Sequence, residues 1–264
     1  MNSFAQSVFQ LSADLSDPLL SLLSVRPALV DAVEIGPWFT LEQARDYRRR
    51  LPSLPFHFHA ADLIEPVGII PSSVQHIGEY LAATDSPWVS AHISVWQPGD
   101  VGQMKRGGHV PLPDPETGAR RLIGKARQLA GSIHVPLLLE NVEPLPFDGY
   151  DYWARPEFIR RLLQEVDCGF LLDTGHARIA AETFGMDVKE YLRQLPLERV
   201  AQIHVSGPRR VDGRLLDHHA PLEQVDYELL GFLLAQVRPA VVTLEYIQDA
   251  DLLDQQLSRL RQYT

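Results

Sequence analysis

The chain has one cysteine, Cys168, among 264 residues. No internal disulfide can form, and a lone thiol suits a reducing compartment. There is no apolar run of about 18 residues, the length a membrane-spanning helix needs. The first ten residues, MNSFAQSVFQ, show neither the basic nor the apolar segment that opens a secretory signal. The expectation is a cytoplasmic protein with no membrane contact. Positive charge is also short: 24 Lys and Arg stand against 34 Asp and Glu, for a formal net charge of −10. Such a field repels a phosphate backbone, so nucleic acid is not an expected partner. Nor does a glycine-rich turn follow the first apolar run, where SADLSDPLL stands, and a dinucleotide turn loses its support. No Gly/Ser linker divides the chain, which reads as one domain over 1–264.

What is present repeats coarsely: a short apolar run, a loop, then an amphipathic stretch. Eight strands are expected, at 7–11, 32–36, 55–59, 88–93, 135–140, 168–173, 200–205 and 240–245. Helical patterns stand between them. TLEQARDYRRRL opens on a capping threonine, and RPEFIRRLLQEV has Pro156 near its start and apolar residues at helical spacing. DVKEYLRQL and DYELLGFLLAQV behave likewise. Eight alternating β and α units imply an α/β fold, a single (β/α)8 TIM barrel.

In such a barrel the active site forms at the C-terminal ends of the strands. Six of the eight expected strands carry a metal-capable side chain there: His59, His92, Glu140, Asp173, His204 and Glu245. A single strand-end His or Asp is usually structural; six at one rim are hard to attribute to chance. Loops add His176, three residues after Asp173, and the pair Asp217 and His219, which share a face if their segment is extended. Buried carboxylates and imidazoles that converge need a cation or must neutralise. Imidazole with carboxylate suits zinc, iron or manganese, and nine donors suit two or three divalent ions.

Other residues invite weaker readings. The segment 97–118 is long for a βα connection and offers Lys105 and His109 as anion contacts, or as solvated charge. Trp153, in the aromatic stretch 143–156, could wall a substrate or simply pack. Arg209 could pair with a phosphate or carboxylate, or face solvent. His57 shares the face of His59 one layer deeper, and Asn141 stands where it could orient Glu140. Cys168 reads as a small core residue.

The strand-end order resembles the xylose-isomerase-like TIM-barrel superfamily over essentially the whole chain. PLLLENV, FIRRLLQEVDCGFLLD and YLRQLPLERVAQIHVSG, followed by a D-x-H segment with APL, are similar to the multinuclear non-haem iron-dependent oxidative enzymes. That resemblance implies iron, a thiol-bearing peptide substrate and a partner protein that presents it. It implies that Glu140 bridges a site with His59 and His92 to one with Asp173, His204 and Glu245. One departure stands out: that family carries Asp-x-Asn-Asn and a His-Gly where this chain has DTGH and ETFGMD. The full set of nine donors resembles endonuclease IV, which implies a metal-dependent phosphodiesterase with His176, Asp217 and His219 at a third metal. The sugar isomerase and epimerase branch needs only Glu140, Asp173, His204 and Glu245 around one metal, with a small-molecule substrate. There the two glutamates act as acid and base. Glu140, Glu245 and Asp173 are the expected catalytic residues, and every reading needs Asp173.

Overall fold

The computed structural model describes residues 9–60, 71–93, 114–144 and 151–264. Eight parallel strands close into a barrel: β1 (Gln10–Asp14), β2 (Ala32–Ile35), β3 (Phe56–His59), β4 (Val89–His92), β5 (Leu137–Glu140), β6 (Gly169–Asp173), β7 (Val200–Val205) and β10 (Val241–Leu244). Closure pairs β1 with both β2 and β10. A two-stranded antiparallel hairpin, β8 (Gly207–Val211) and β9 (Arg214–Ala220), rises after β7.

The helices packed around the barrel are α1 (Asp17–Val25), α2 (Leu41–Arg50), α3 (Pro71–Thr84), α4 (Pro115–Ala130), α5 (Pro156–Val166), α6 (Thr174–Thr183), α7 (Val188–Gln194), α8 (Gln224–Leu234) and α9 (Ala250–Leu260). Their ends follow local chemistry. Thr40 and Gln43 form a capping box at α2, and Asp114, Asp187 and Asp249 cap α4, α7 and α9. Along α5 the buried residues are Pro156, Ile159, Leu162, Leu163 and Val166, the spacing of one helical face. Among the described residues no helix is long and apolar enough to cross a membrane.

Side chains alternate along each strand, and the outward set forms the apolar core between sheet and helices. Leu11, Ala13, Val33, Ile35, Phe56, Phe58, Phe170, Leu172, Ile203, Val205, Val242 and Leu244 all belong to it. The alternate residues are mostly polar: Ser12, Asp14, Glu34, His57, His59, Ser90, Glu140, Asp173, Gln202, His204, Thr243 and Glu245, all buried. A barrel interior is ordinarily filled by Val, Ile and Leu. Here it is a polar funnel.

Three expectations need correction. Among the described residues the first strand is Gln10–Asp14, running three residues past the expected 7–11, because Ser12 and Asp14 point into the polar interior and break the apolar run. The segment 97–118 is shortened at its end: Asp114 caps a helix that starts at Pro115, and 97–113 lie outside the described residues. The D-x-H segment is not a loop but strand β9. Its turn is Asp212 and Gly213, both with positive φ, and a Cβ on Gly207 would come 2.2 Å from the Ala220 carbonyl oxygen that closes the hairpin base.

Candidate metal centre

β6 delivers Asp173 at its tip, and the carboxylate caps α6 by accepting the His176 backbone N–H. The first turn of α6 therefore returns His176 beside the strand that launched it. Gly175 lets this happen, since a Cβ there would lie 2.1 Å from Ser206 Oγ. Asn141, next to Glu140, locks the same corner. Its amide donates to the Asp173 carbonyl at 3.0 Å and accepts the Asp173 N–H at 2.9 Å. Asn141 thus orients Asp173 and His176 rather than Glu140.

Glu140 sits at the centre. Oε2 lies 3.7 Å from His59 Nε2 and 3.5 Å from His92 Nε2; Oε1 lies 3.5 Å from His176 Nδ1 and 3.7 Å from His204 Nδ1. Neither oxygen has a hydrogen-bond partner, and the residue is fully buried. These separations are too long for hydrogen bonds. They are close to the edge of a coordination polyhedron with bonds of about 2.0–2.2 Å. Each carboxylate oxygen faces a pair of imidazoles; on the Oε1 side His204 Nδ1 is the available nitrogen, because His176 Nδ1 is engaged by the Asn141 carbonyl.

The imidazoles are held with one nitrogen turned inward. His59 Nδ1 is 3.0 Å from Ser90 Oγ, which leaves Nε2 toward Glu140. His204 Nε2 is 3.0 Å from Glu34 Oε1, which leaves Nδ1 at 3.1 Å from Glu245 Oε1. His176 Nδ1 donates to the Asn141 carbonyl at 2.8 Å, which leaves Nε2 at 3.5 Å from Glu143 and 3.8 Å from Asp217. A carbonyl, carboxylate or hydroxyl on the far nitrogen is how metal-binding histidines are oriented. On the hairpin, His219 Nε2 lies 3.0 Å from Asp217 Oδ2 and 3.9 Å from Glu245 Oε2.

All nine expected donors therefore meet at one mouth. Four groups bring three donors within 4.8 Å: His59, His92 and Glu140; Glu140, Asp173 and His176; Glu34, His204 and Glu245; Asp14, His219 and Glu245. In the third group Glu34 occupies the far nitrogen of His204, so it acts as the orienting partner. Asp14, Glu34 and Glu143 were missed in the sequence. Glu34 could have been noticed as a lone acid inside an apolar strand, AVEI. Asp14 was hidden by the misplaced first strand.

The electrostatics fit a cation. Burial, then the Glu245 and Glu34 charges, raise the Asp14 carboxyl well above its usual range. Burial likewise raises Glu140 and raises Asp173 strongly. Burial depresses His59, and His92 and His204 add to this. At His176 and His204 burial opposes the charge, but the surrounding carboxylates outweigh it and raise both well above normal. Glu245, opposed by burial, raises His219 to about 10. His204 and His219 overcome burial and hold Glu245 well below normal. Among the described residues Glu34, Glu140, Asp173, Asp217 and Glu245 form ion pairs with histidines. Buried acids without Lys or Arg are the environment a divalent ion neutralises.

Trp153, Arg209, His57 and Cys168 have other surroundings. Trp153 is fully buried beside Tyr152 in the core, with no ring surface exposed. Arg209 bonds the Pro208 carbonyl at 2.9 Å and the Pro221 carbonyl, and lies 3.6 Å from Glu223, so it ties down the hairpin base. Lys105 and His109 lie outside the described residues. His57 stacks on Trp88 beneath the site, and burial lowers it to about 4. Cys168 is a buried thiol that burial pushes up to about 12.

The fold and its polar mouth define a (β/α)8 TIM barrel with a cluster of candidate metal ligands. The chain belongs to the family described as RiPP precursor modification enzyme MbnB/TglH/ChrH, whose model matches residues 40–263. A UPF0276 protein of Pseudomonas aeruginosa is 29 % identical over 219 residues, covering 78 % of this chain and 74 % of that protein. A UPF0276 protein of Acaryochloris marina is 27 % identical over 218 residues, covering 82 % of this chain and 68 % of its own. Among solved structures, D-psicose 3-epimerase of Clostridium cellulolyticum superposes with a TM-score of 0.66 at 13 % identity, covering 97 % of this chain and 98 % of its own. A xylose isomerase domain containing protein of Salmonella typhimurium gives 0.61 at 14 %, covering 99 % of both chains. At these identities the structural likeness speaks for the barrel alone.

Proposed function

We propose that this chain oxidatively modifies a thiol-bearing residue of a ribosomally made precursor peptide, at an iron centre bridged by Glu140. One observation carries the reading: the family match over 40–263 coincides with a fully buried glutamate whose two free oxygens each face a pair of imidazoles. His59 and His92 would hold one ion; Asp173, His204 and Glu245 would hold the second. Bound iron would supply the redox chemistry for oxidation of a thiol, with dioxygen as the oxidant. The chain's own part is positional. Ser90 and Glu34 fix the tautomers of His59 and His204. The buried walls keep bulk water from the bridge, and Glu143, Asp217 and the partly exposed His92 face the open side, where a peptide would enter. A partner protein that presents the peptide is part of this reading.

A second reading rests on His176. It is buried beside Glu140 and Asp173, as in the LDT-x-H pattern of endonuclease IV-like phosphodiesterases. One experiment separates the two. The protein, isolated without chelator and loaded with Fe(II), is given a cysteine-bearing precursor peptide and dioxygen, and the peptide mass is followed. Loss of hydrogens or gain of oxygen at the cysteine supports the oxidative reading. An unchanged peptide, together with zinc-dependent cleavage of a generic phosphodiester, overturns it.

A further inference from the structure

Asp14 closes the mouth of β1, and neither inner ion needs it. It also precedes residues 40–263, so the family match says nothing of it. The residue is 6 % exposed, yet Oδ1 has no hydrogen-bond partner. Across the barrel seam Glu245 is 7 % exposed and splits its two oxygens. Oε1 lies 3.1 Å from His204 Nδ1; Oε2 has no hydrogen-bond partner and lies 3.9 Å from His219 Nε2. Donor atoms of Asp14, His219 and Glu245 come within 4.8 Å of one another. Two carboxylates held this close repel, and removing them from water adds to the cost. A divalent cation between them relieves both.

We propose that Asp14, His219 and Glu245 hold a third divalent cation on the β1 side of the mouth. The assignment rests on the metal-centre reading above. Glu245 then bridges this cation to the His204 group, much as Glu140 bridges the two inner groups. Two carboxylates and one imidazole suit Mn(II), Fe(II) or Zn(II). His219, on the hairpin, has a side chain 37 % exposed, so the third cation borders solvent and exchanges more readily than the inner pair. The endonuclease-like arrangement instead gathers the third ion around His176. The two differ in which residue must be present.

The test is metal binding, independent of any peptide activity. Metal-free protein is titrated with Mn(II), and free Mn(II) is counted by electron paramagnetic resonance. Wild type is expected to take three equivalents, and Asp14→Asn two, with the inner two unchanged. Asp14→Ser should repeat the result with a smaller side chain. His176→Ala should keep all three, which separates this site from the endonuclease-like one even if the Asp14 variants do not fold. The proposal fails alone if the Asp14 variants keep the wild-type number, if wild type takes only two, or if His176→Ala and not Asp14→Asn loses the outer equivalent. Wild type that takes no Mn(II) overturns both the proposal and the metal centre beneath it.

Discussion

His204 Nε2 lies 3.0 Å from Glu34 Oε1, with both side chains fully buried. The Glu34 carboxylate accepts a second hydrogen bond from Gln202 Nε2, and Gln202 Oε1 accepts the Trp88 indole N–H at 2.9 Å. A chain of fixed groups therefore turns the other nitrogen of His204 toward Glu140 and Glu245. Glu34→Gln should weaken metal binding by about 10–100-fold, the usual cost of losing such an orienting partner. Circular dichroism checks that the fold is kept, and Mn(II) titration gives the affinity. An unchanged affinity would mean that Glu34 is only a packing residue.

Metal uptake should release protons. Ligating imidazoles must be neutral. In the metal-free protein the carboxylates around His176 and His204 raise both well above their usual values, and His219 reaches about 10. His219 carries a proton at neutral pH, and the carboxylates around His176 and His204 favour their protonated forms too. Calorimetry in two buffers of different ionisation enthalpy should report about two or more protons released per chain at pH 7, and affinity should rise with pH. The same shift stabilises the metal-free fold. His219 is raised from 6.5 to about 10, so its contribution is complete below 6.5 and is lost as pH rises through 10. Binding heats that do not depend on buffer would contradict this account.

Gly175→Ala should destabilise the corner that carries Asp173 and His176. The new methyl would meet Ser206 Oγ at 2.1 Å. Overpacking of this kind costs about 1–3 kcal/mol, and each kcal/mol lowers Tm by about 2–4 °C in a chain of this size. Ser206→Ala added to Gly175→Ala removes the obstructing oxygen and should recover much of the loss. A melt in which the double variant is no better than the single one would place the strain elsewhere.

The helix that bears His176 is pinned from outside. Arg178 Nη1 reaches Asp226 Oδ1 at 2.5 Å, and Asp226 is fully buried at the start of α8. Arg178→Met leaves that acid unpaired. The expected loss is about 3–5 kcal/mol, read by denaturant unfolding. A loss under about 1 kcal/mol would show that Asp226 is satisfied by its capping bond to the Glu223 N–H alone.

Much of this was legible in the sequence because barrel strands end where their chemistry begins. His59, His92, Glu140, Asp173, His204 and Glu245 could be read as strand tips, and their convergence followed from the fold. Asp14 could not, because Ser12 and Asp14 face a polar interior and cut the apolar run that marks a strand. The hairpin did leave a signal. Asp212 and Gly213 form a Asp-Gly pair between two extended runs, the strongest short-range mark of a tight turn. Glu34 left a fainter one, a single acid among Ala32, Val33 and Ile35. Distances decided the rest: only the fold shows that Glu140 divides its two oxygens between facing pairs of imidazoles.

That division is the central claim, and metal counting on Glu140→Gln tests it most directly. The variant keeps the shape of the side chain and removes the bridging charge. Beside wild type isolated without chelator and holding two or three iron atoms per chain, Glu140→Gln should retain at most one. A variant that keeps the full wild-type complement would contradict the bridge.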